Sequence, residues 1–339
     1  MVRKLVTIQE VKNIVPIPDA DKIEVAEVLG WKVVVKKGEF KVGDKGVYFE
    51  VDSFLPERPE FEFMRSSSYK NSEILGKGFR VRTQKLRGVI SQGLLLPLSI
   101  LPEGVYNVDD DLTEILGVKK WMVPEVEGGV GTVIGSFCPY CSKTDEIRIQ
   151  TIPEIIEELH DKPYYISTKM DGTSVTMWCM NGEFHVCGRS DEYKDDENSA
   201  WWIFAHKLNI PEKVIATGRN VAIQGEMCGP KIQKNRLKLM ELHWYVFTIV
   251  DLDTGKRLSL DELIDFCDKL KIEHVPIEER GEHFNYTFED LLERAKGQYP
   301  SGQAKEGIVI RSITNDSSKV LRSPLSFKVL NNNFLLKEK

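Results

Sequence analysis

Short runs in which apolar and polar residues alternate, each closed by turn-forming residues, fill the first 120 positions, and a period of two commits them to half-buried strands. Residues 25–29, 31–35 and 46–51 read this way, with Val33 and Val35 on one face of their run and Val47, Phe49 and Val51 on one face of theirs. Lys36-Lys37-Gly38 supplies the punctuation between them. In Phe79-Arg80-Val81-Arg82-Thr83 the same alternation predicts Arg80 and Arg82 on the face opposite Phe79, Val81 and Thr83.

A small closed barrel fits this pattern, and the OB-fold is the nucleic-acid-binding version of it. Residues 85–94, from Lys85 to Leu94, resemble the barrel segment of tRNA-binding OB modules, although a barrel used only as a structural prop is also open. At 339 residues the chain has room for about two domains. Between Glu125 and Gly135 the sequence becomes rich in Gly and Val without a period, which places the junction there. The expected layout is a barrel domain at 1–120, a linker at 121–145 and a second domain at 146–339.

The second domain reads as α+β with mostly antiparallel sheet. Thr151 and Glu154 predict a capped helix with Ile152, Ile155, Ile156 and Leu159 on its apolar face, and Ser259 with Glu262 and Thr287 with Asp290 predict two more. Asp171-Gly172 and Asn181-Gly182 stand as tight-turn dipeptides between apolar, β-branched runs, predicting hairpins.

A formal charge of −6 excludes holding nucleic acid by overall charge, so a polyanion must meet local patches. One is Lys77, Arg80, Arg82, Lys85 and Arg87; another is Lys231, Lys234, Arg236 and Lys238; solvated strand faces or loops are the plainer reading of both. Six cysteines in a chain of this length do not make a disulfide framework, and Cys138-Pro139-Tyr140-Cys141 has no partner pair at zinc-ligand spacing. The start does not resemble a signal peptide, and the most apolar stretch, 93–101, is short and broken by Pro97, so a soluble intracellular protein with no membrane partner is expected, in cytoplasm or nucleus.

Thr168-Lys169-Met170-Asp171-Gly172-Thr173-Ser174 ends a strand in a lysine followed by small residues that let a phosphate approach the backbone. By itself it could be an ordinary turn with a surface lysine. Further on, Gln224 and Glu226 share the face of a strand opposite Val221 and Ile223; Phe247 lies in an apolar strand; Glu306 precedes Gly307 and a strand; and Lys328 stands between Phe327 and Val329. Phe247 could be plain core, Glu226, Glu306 and Lys328 exposed strand residues, and Arg189 a surface partner of Asp191.

In this order the motifs resemble the covalent nucleotidyltransferase superfamily of ligases and mRNA capping enzymes over about 148–330. The resemblance implies Lys169 as the nucleophile that carries AMP, Glu226 on the ribose, Phe247 stacked on adenine and Lys328 on the α-phosphate. It implies Asp171, Glu226 and Glu306 around a metal, by way of water, with Arg148, Gln150, Thr168 and Arg189 also at the nucleotide or the substrate phosphate. A free lysine has a pKa of about 10.4 and is protonated at neutral pH, so the site is expected to favour the neutral amine through Lys328 and a divalent metal.

Only eleven residues follow Lys328, too few for the trailing OB domain of DNA ligases and capping enzymes. The chain is most similar to ATP-dependent RNA ligases with an amino-terminal OB domain, although Ser326 stands where these often carry a further lysine. That similarity implies ATP and magnesium or manganese as cofactors, and an RNA partner in the form of a nicked duplex or RNA/DNA hybrid, gripped through Lys77 to Arg87 by a protein acting as a monomer. A capping-type guanylyltransferase and a non-catalytic RNA-binding protein are the rival readings.

Overall fold

A computed structural model describes residues 3–122, 126 and 130–337. By its internal contacts the chain forms two units, Met1–Val123 with Ile149–Pro153 and Leu335–Lys339, and Pro124–Arg148 with Glu154–Phe334. The second expected domain, at 146–339, is therefore interrupted, and segments on both sides of it return to the first unit. Of the expected junction, residues 125 and 127–129 lie outside the described residues.

The strands of the first unit pair antiparallel. Val6–Glu10, Lys45–Phe49 and Leu94–Pro97 form one sheet, Asn13–Pro16, Ile23–Val28 and Trp31–Lys36 a second, and Tyr69–Ser72, Gly76–Arg80, Ser53–Pro56 and Lys119–Lys120 a third. Val47 and Phe49 pack with Val6, Ile8, Leu55 and Phe79, whereas Tyr48 between them packs with Trp31 and Val33, so this strand is buried on both faces. Gln84–Leu86 and Val89–Ser91 make a small hairpin whose turn residues, Arg87 and Gly88, both have positive φ, as a two-residue turn of primed type requires.

The strand that holds Arg80 ends at that residue, so the alternation expected over 79–83 is not carried by one strand. Arg80 is buried against Asp52 at 2.9 Å with its guanidinium over the Trp121 ring, and Arg82 donates to the Ser67 carbonyl. A buried guanidinium needs such a carboxylate to offset its lost hydration. Lys77, Lys85 and Arg87 are the exposed members of the cluster.

The second unit holds two sheets. A seven-stranded antiparallel sheet has the order Val133–Ser136, Asp191–Tyr193, Glu183–Cys187, Thr173–Met180, Val221–Cys228, His243–Asp251 and Lys256–Arg257. A five-stranded sheet has the order Ile147–Arg148, Ser326–Leu330, Gly307–Ser312, Tyr164–Lys169 and Ile277–Gly281, with its first pair parallel. One face of the larger sheet, through Val175, Met177, Ile223 and Ile249, packs on the helices Ala200–Lys207, Ile210–Ala216 and Leu260–Leu270.

Asn181-Gly182 makes the expected hairpin turn, with both φ values positive and Met180 paired with Glu183. Asp171-Gly172 does not. It carries the chain from the smaller sheet to the larger one, since the strands on its two sides pair with different partners. Glycine is required there by close approach: a Cβ on Gly172 would stand 2.2 Å from the Met227 carbonyl oxygen.

Ser259 and Thr287 form the expected capping boxes on the helices Leu260–Leu270 and Phe288–Arg294. Thr151 does not cap a helix. It ends a 3-10 turn, Ile149–Thr151, and its hydroxyl donates to Glu50, while the helix Ile155–Leu159 starts later without a side-chain cap. The six cysteines are all thiols. Among the described residues no helix is long and apolar enough to cross a membrane.

Candidate active site

Lys169 is the last residue of its strand and pairs with Gly307, so it shares a sheet edge with Glu306. Its Nζ lies 2.8 Å from Glu306 Oε2. One buried hydroxyl closes the ladder beyond this pair: Tyr299 donates to the Lys169 carbonyl at 2.7 Å and accepts from the Glu306 N–H at 3.0 Å. Both backbone groups are thereby satisfied, and the two side chains stay converged. On the preceding residue, the Thr168 hydroxyl donates to Glu278, which also binds Lys305 and Arg294.

Burial opposes the charge on Lys169, but the Glu306 carboxylate, with Glu226 and Asp171, outweighs it and holds the pKa above the ordinary lysine value. Within the chain itself carboxylates, not cations, dominate the field at Lys169. Burial, then the Glu306 charge, pushes the Asp171 pKa up against the pull of Arg236, whose Nη1 is 2.5 Å from the Asp171 carboxylate. Lys328 is shifted the other way: burial lowers its pKa, and Lys169 and Arg148 add to that, while Asp145 at 2.9 Å opposes it.

These groups border a cleft of about 540 Å³ lined on one side by Thr168, Lys169 and Lys328 and on the other by Glu226 and Phe247. Phe247 is aimed by a bulge. Gln224 pairs with Thr248 and Gly225 with Val246, which leaves Phe247 as the extra residue. Its carbonyl accepts from Arg311, which also binds Thr248, Ser326 and, at 2.8 Å, Glu146. A lysine at position 326 would face this guanidinium, so the serine suits the arginine opposite it.

The cleft brings together Thr168, Lys169, Glu226, Phe247 and Lys328, with Glu306 and Asp171 beside Lys169. Arg148 is buried and pairs in register with Lys328 without lining the cleft. Gln150 and Arg189 are not among the lining residues either: Gln150 is buried in the 3-10 turn, its carbonyl accepting from Gly30, and Arg189 is exposed. Tyr299, Arg311, Arg236 and the segment Thr144, Asp145 and Glu146 carry no local motif. Arg311 left a trace as a charge ending the apolar run Ile308, Val309 and Ile310, and Arg236 as a member of the basic patch at 231–238.

Among the described residues no three His, Cys, Asp or Glu side chains are grouped to chelate a metal directly. The carboxylates near Lys169 are hard oxygen donors, which suits a divalent cation held largely through water.

Two lysines that can meet phosphates, carboxylates around one of them and a ring that can stack on a base describe a nucleotidyltransferase domain, here in an α+β chain with an OB-fold domain in front. Family models match residues 5–98 as an OB-fold domain and residues 162–329 as RNA ligase. A mutant of Naegleria gruberi RNA ligase with ATP and Mn is 36% identical, with 99% of each chain covered and a TM-score of 0.91. The same ligase with pyrophosphate, and another mutant of it with AMP and Mn, are each 37% identical at the same coverage and TM-score. No curated protein sequence matched. The chain belongs to the RNA ligase family.

Proposed function

We propose that this RNA ligase is ATP-dependent and seals a 3'-hydroxyl RNA end to a 5'-phosphate end at nicks in duplex RNA or RNA/DNA hybrid, through a lysyl-AMP on Lys169. The observation that carries the reading is the Lys169 amine at 2.8 Å from Glu306, on the wall of a cleft that also holds Phe247 and Lys328.

In the first step the amine attacks the α-phosphorus of ATP; a P–N bond forms and the P–O bond to pyrophosphate breaks. Glu306 is placed to accept the proton that Lys169 must lose. Lys328 stabilises charge on the α-phosphate, Phe247 stacks on adenine, and Glu226 reaches the ribose. Magnesium or manganese, held by Asp171, Glu226 and Glu306 largely through water, would neutralise the carboxylates and so ease loss of the lysine proton. An oxygen of the RNA 5'-phosphate then attacks the lysyl-AMP phosphorus, and the P–N bond breaks with return of the proton to Lys169. Finally the RNA 3'-hydroxyl attacks the activated 5'-phosphorus and AMP leaves. In the OB-fold domain, Lys77, Lys85 and Arg87 contact the duplex backbone.

A panel of nicked duplexes, with RNA or DNA on either side of the nick and ATP or GTP as the nucleotide, tests the reading. Sealing with ATP when the 3'-hydroxyl end is RNA is expected. Labelling of the protein by GTP in preference to ATP, or sealing indifferent to the sugar at the 3'-hydroxyl end, would overturn it.

A further inference from the structure

Residues 231–238 join two strands of the larger sheet by a path with an unusual backbone. Lys231, Gln233, Asn235 and Lys238 all have positive φ, at 63°, 48°, 41° and 55°, and none is glycine. Side chains with a Cβ occupy that region rarely and persist there only where surrounding contacts hold them; such segments cluster at functional sites.

The contacts here converge on the turn that follows Lys169. Gln233 donates to the Gly172 carbonyl at 3.3 Å, and Arg236 binds Asp171 and lies 4.2 Å from the centre of the Phe334 ring. The Arg236 carbonyl accepts from Ser301 at 2.6 Å, and Leu237 and Leu239 pack with Met170 and Tyr299. Arg236 is thus an internal strut and not part of a solvated face. Lys231, Lys234 and Lys238 are exposed and have no ion-pair partner among the described residues. The neighbouring acid Glu241 is matched by Lys207 at 2.6 Å, which leaves their charge uncompensated in a protein of net charge −6.

We infer that the 231–238 loop is a binding site for the phosphate backbone of the RNA, held beside the adenylation cleft by the Gln233 and Arg236 tethers and contacting phosphates through Lys231, Lys234 and Lys238. The inference rests on the ligase reading and names the surface that presents the polynucleotide to that site. A braced backbone loses little freedom when a phosphate binds, and each lysine contact releases counterions from the RNA.

The test is the triple variant Lys231→Gln, Lys234→Gln, Lys238→Gln. Its binding to a nicked RNA duplex with a 5'-phosphate is measured by fluorescence anisotropy over a salt series, beside a triple arginine variant and the unaltered protein. The glutamine variant is expected to bind about tenfold more weakly at low salt, and the slope of log affinity against log salt to flatten by about two to three, from the roughly 0.7–0.9 lost per phosphate contact. The arginine variant is expected to keep the slope. Self-adenylation without RNA reports on folding of the cleft, and binding is read independently of it, so failure of the ligase reading would show as no adenylate while the salt slopes still differ. An unchanged slope in the glutamine variant, or equal flattening in the arginine variant, would overturn the inference.

Discussion

With Glu306 at 2.8 Å and Glu226 and Asp171 adding to the same field, the Lys169 amine holds its proton more tightly than a lysine in water. Removing one negative neighbour weakens the ammonium form, so the Lys169 pKa falls in Glu306→Gln. Mapping its reactivity toward a small acylating reagent by mass spectrometry, without nucleotide, should place the midpoint at lower pH in that variant; a midpoint that stays or rises would refute the assigned field. Tyr299 acts at one remove. Tyr299→Phe keeps the ring but strands the Lys169 carbonyl and the Glu306 N–H, at a cost of about 1–3 kcal/mol in stability. Self-adenylation should slow about tenfold with little change in the KM for ATP, and a variant with unaltered kcat would show that the hydroxyl does not position the pair.

At the scale of elements, two departures from regular sheet build the cleft: the sheet-to-sheet passage at Asp171-Gly172 and the bulge at Phe247. Gly172→Ala drives a methyl into the Met227 carbonyl, so it should lower the unfolding temperature and abolish self-adenylation; retention of both would mean that the two strands can part at no cost. The capping boxes at Ser259 and Thr287 and the turn at Asn181-Gly182 were legible in the sequence because each signal is complete within a few residues, whereas the box expected at Thr151 did not form. Asp171-Gly172 was misread because a tight turn and a close crossing call for the same small residue. Arg80 was misplaced for a related reason: alternation specifies a face but not whether a carboxylate covers it, and Asp52 does. Tyr299, Arg236 and Arg311 were illegible because their partners lie 130, 65 and 165 positions away. The cleft motifs could be read only as an ordered set, of which Arg148, Gln150 and Arg189 do not line the cleft.

For the whole molecule, the proposed function calls on two kinds of electrostatics. In that proposal the nucleotide would meet buried, paired charges, which salt screens little, and RNA would meet exposed lysines and arginines on a chain of net charge −6. Raising salt from about 50 to 200 mM should therefore depress sealing far more than self-adenylation; parallel loss of the two activities would place the salt-sensitive charges in the cleft instead. The most direct test of the central claim is to incubate the protein with α-labelled ATP and magnesium, digest it and map the label. A single acid-labile, alkali-stable phosphoramidate on the peptide that contains Lys169, absent from Lys169→Ala, is predicted. Label on another residue, or its persistence in that variant, would contradict the account.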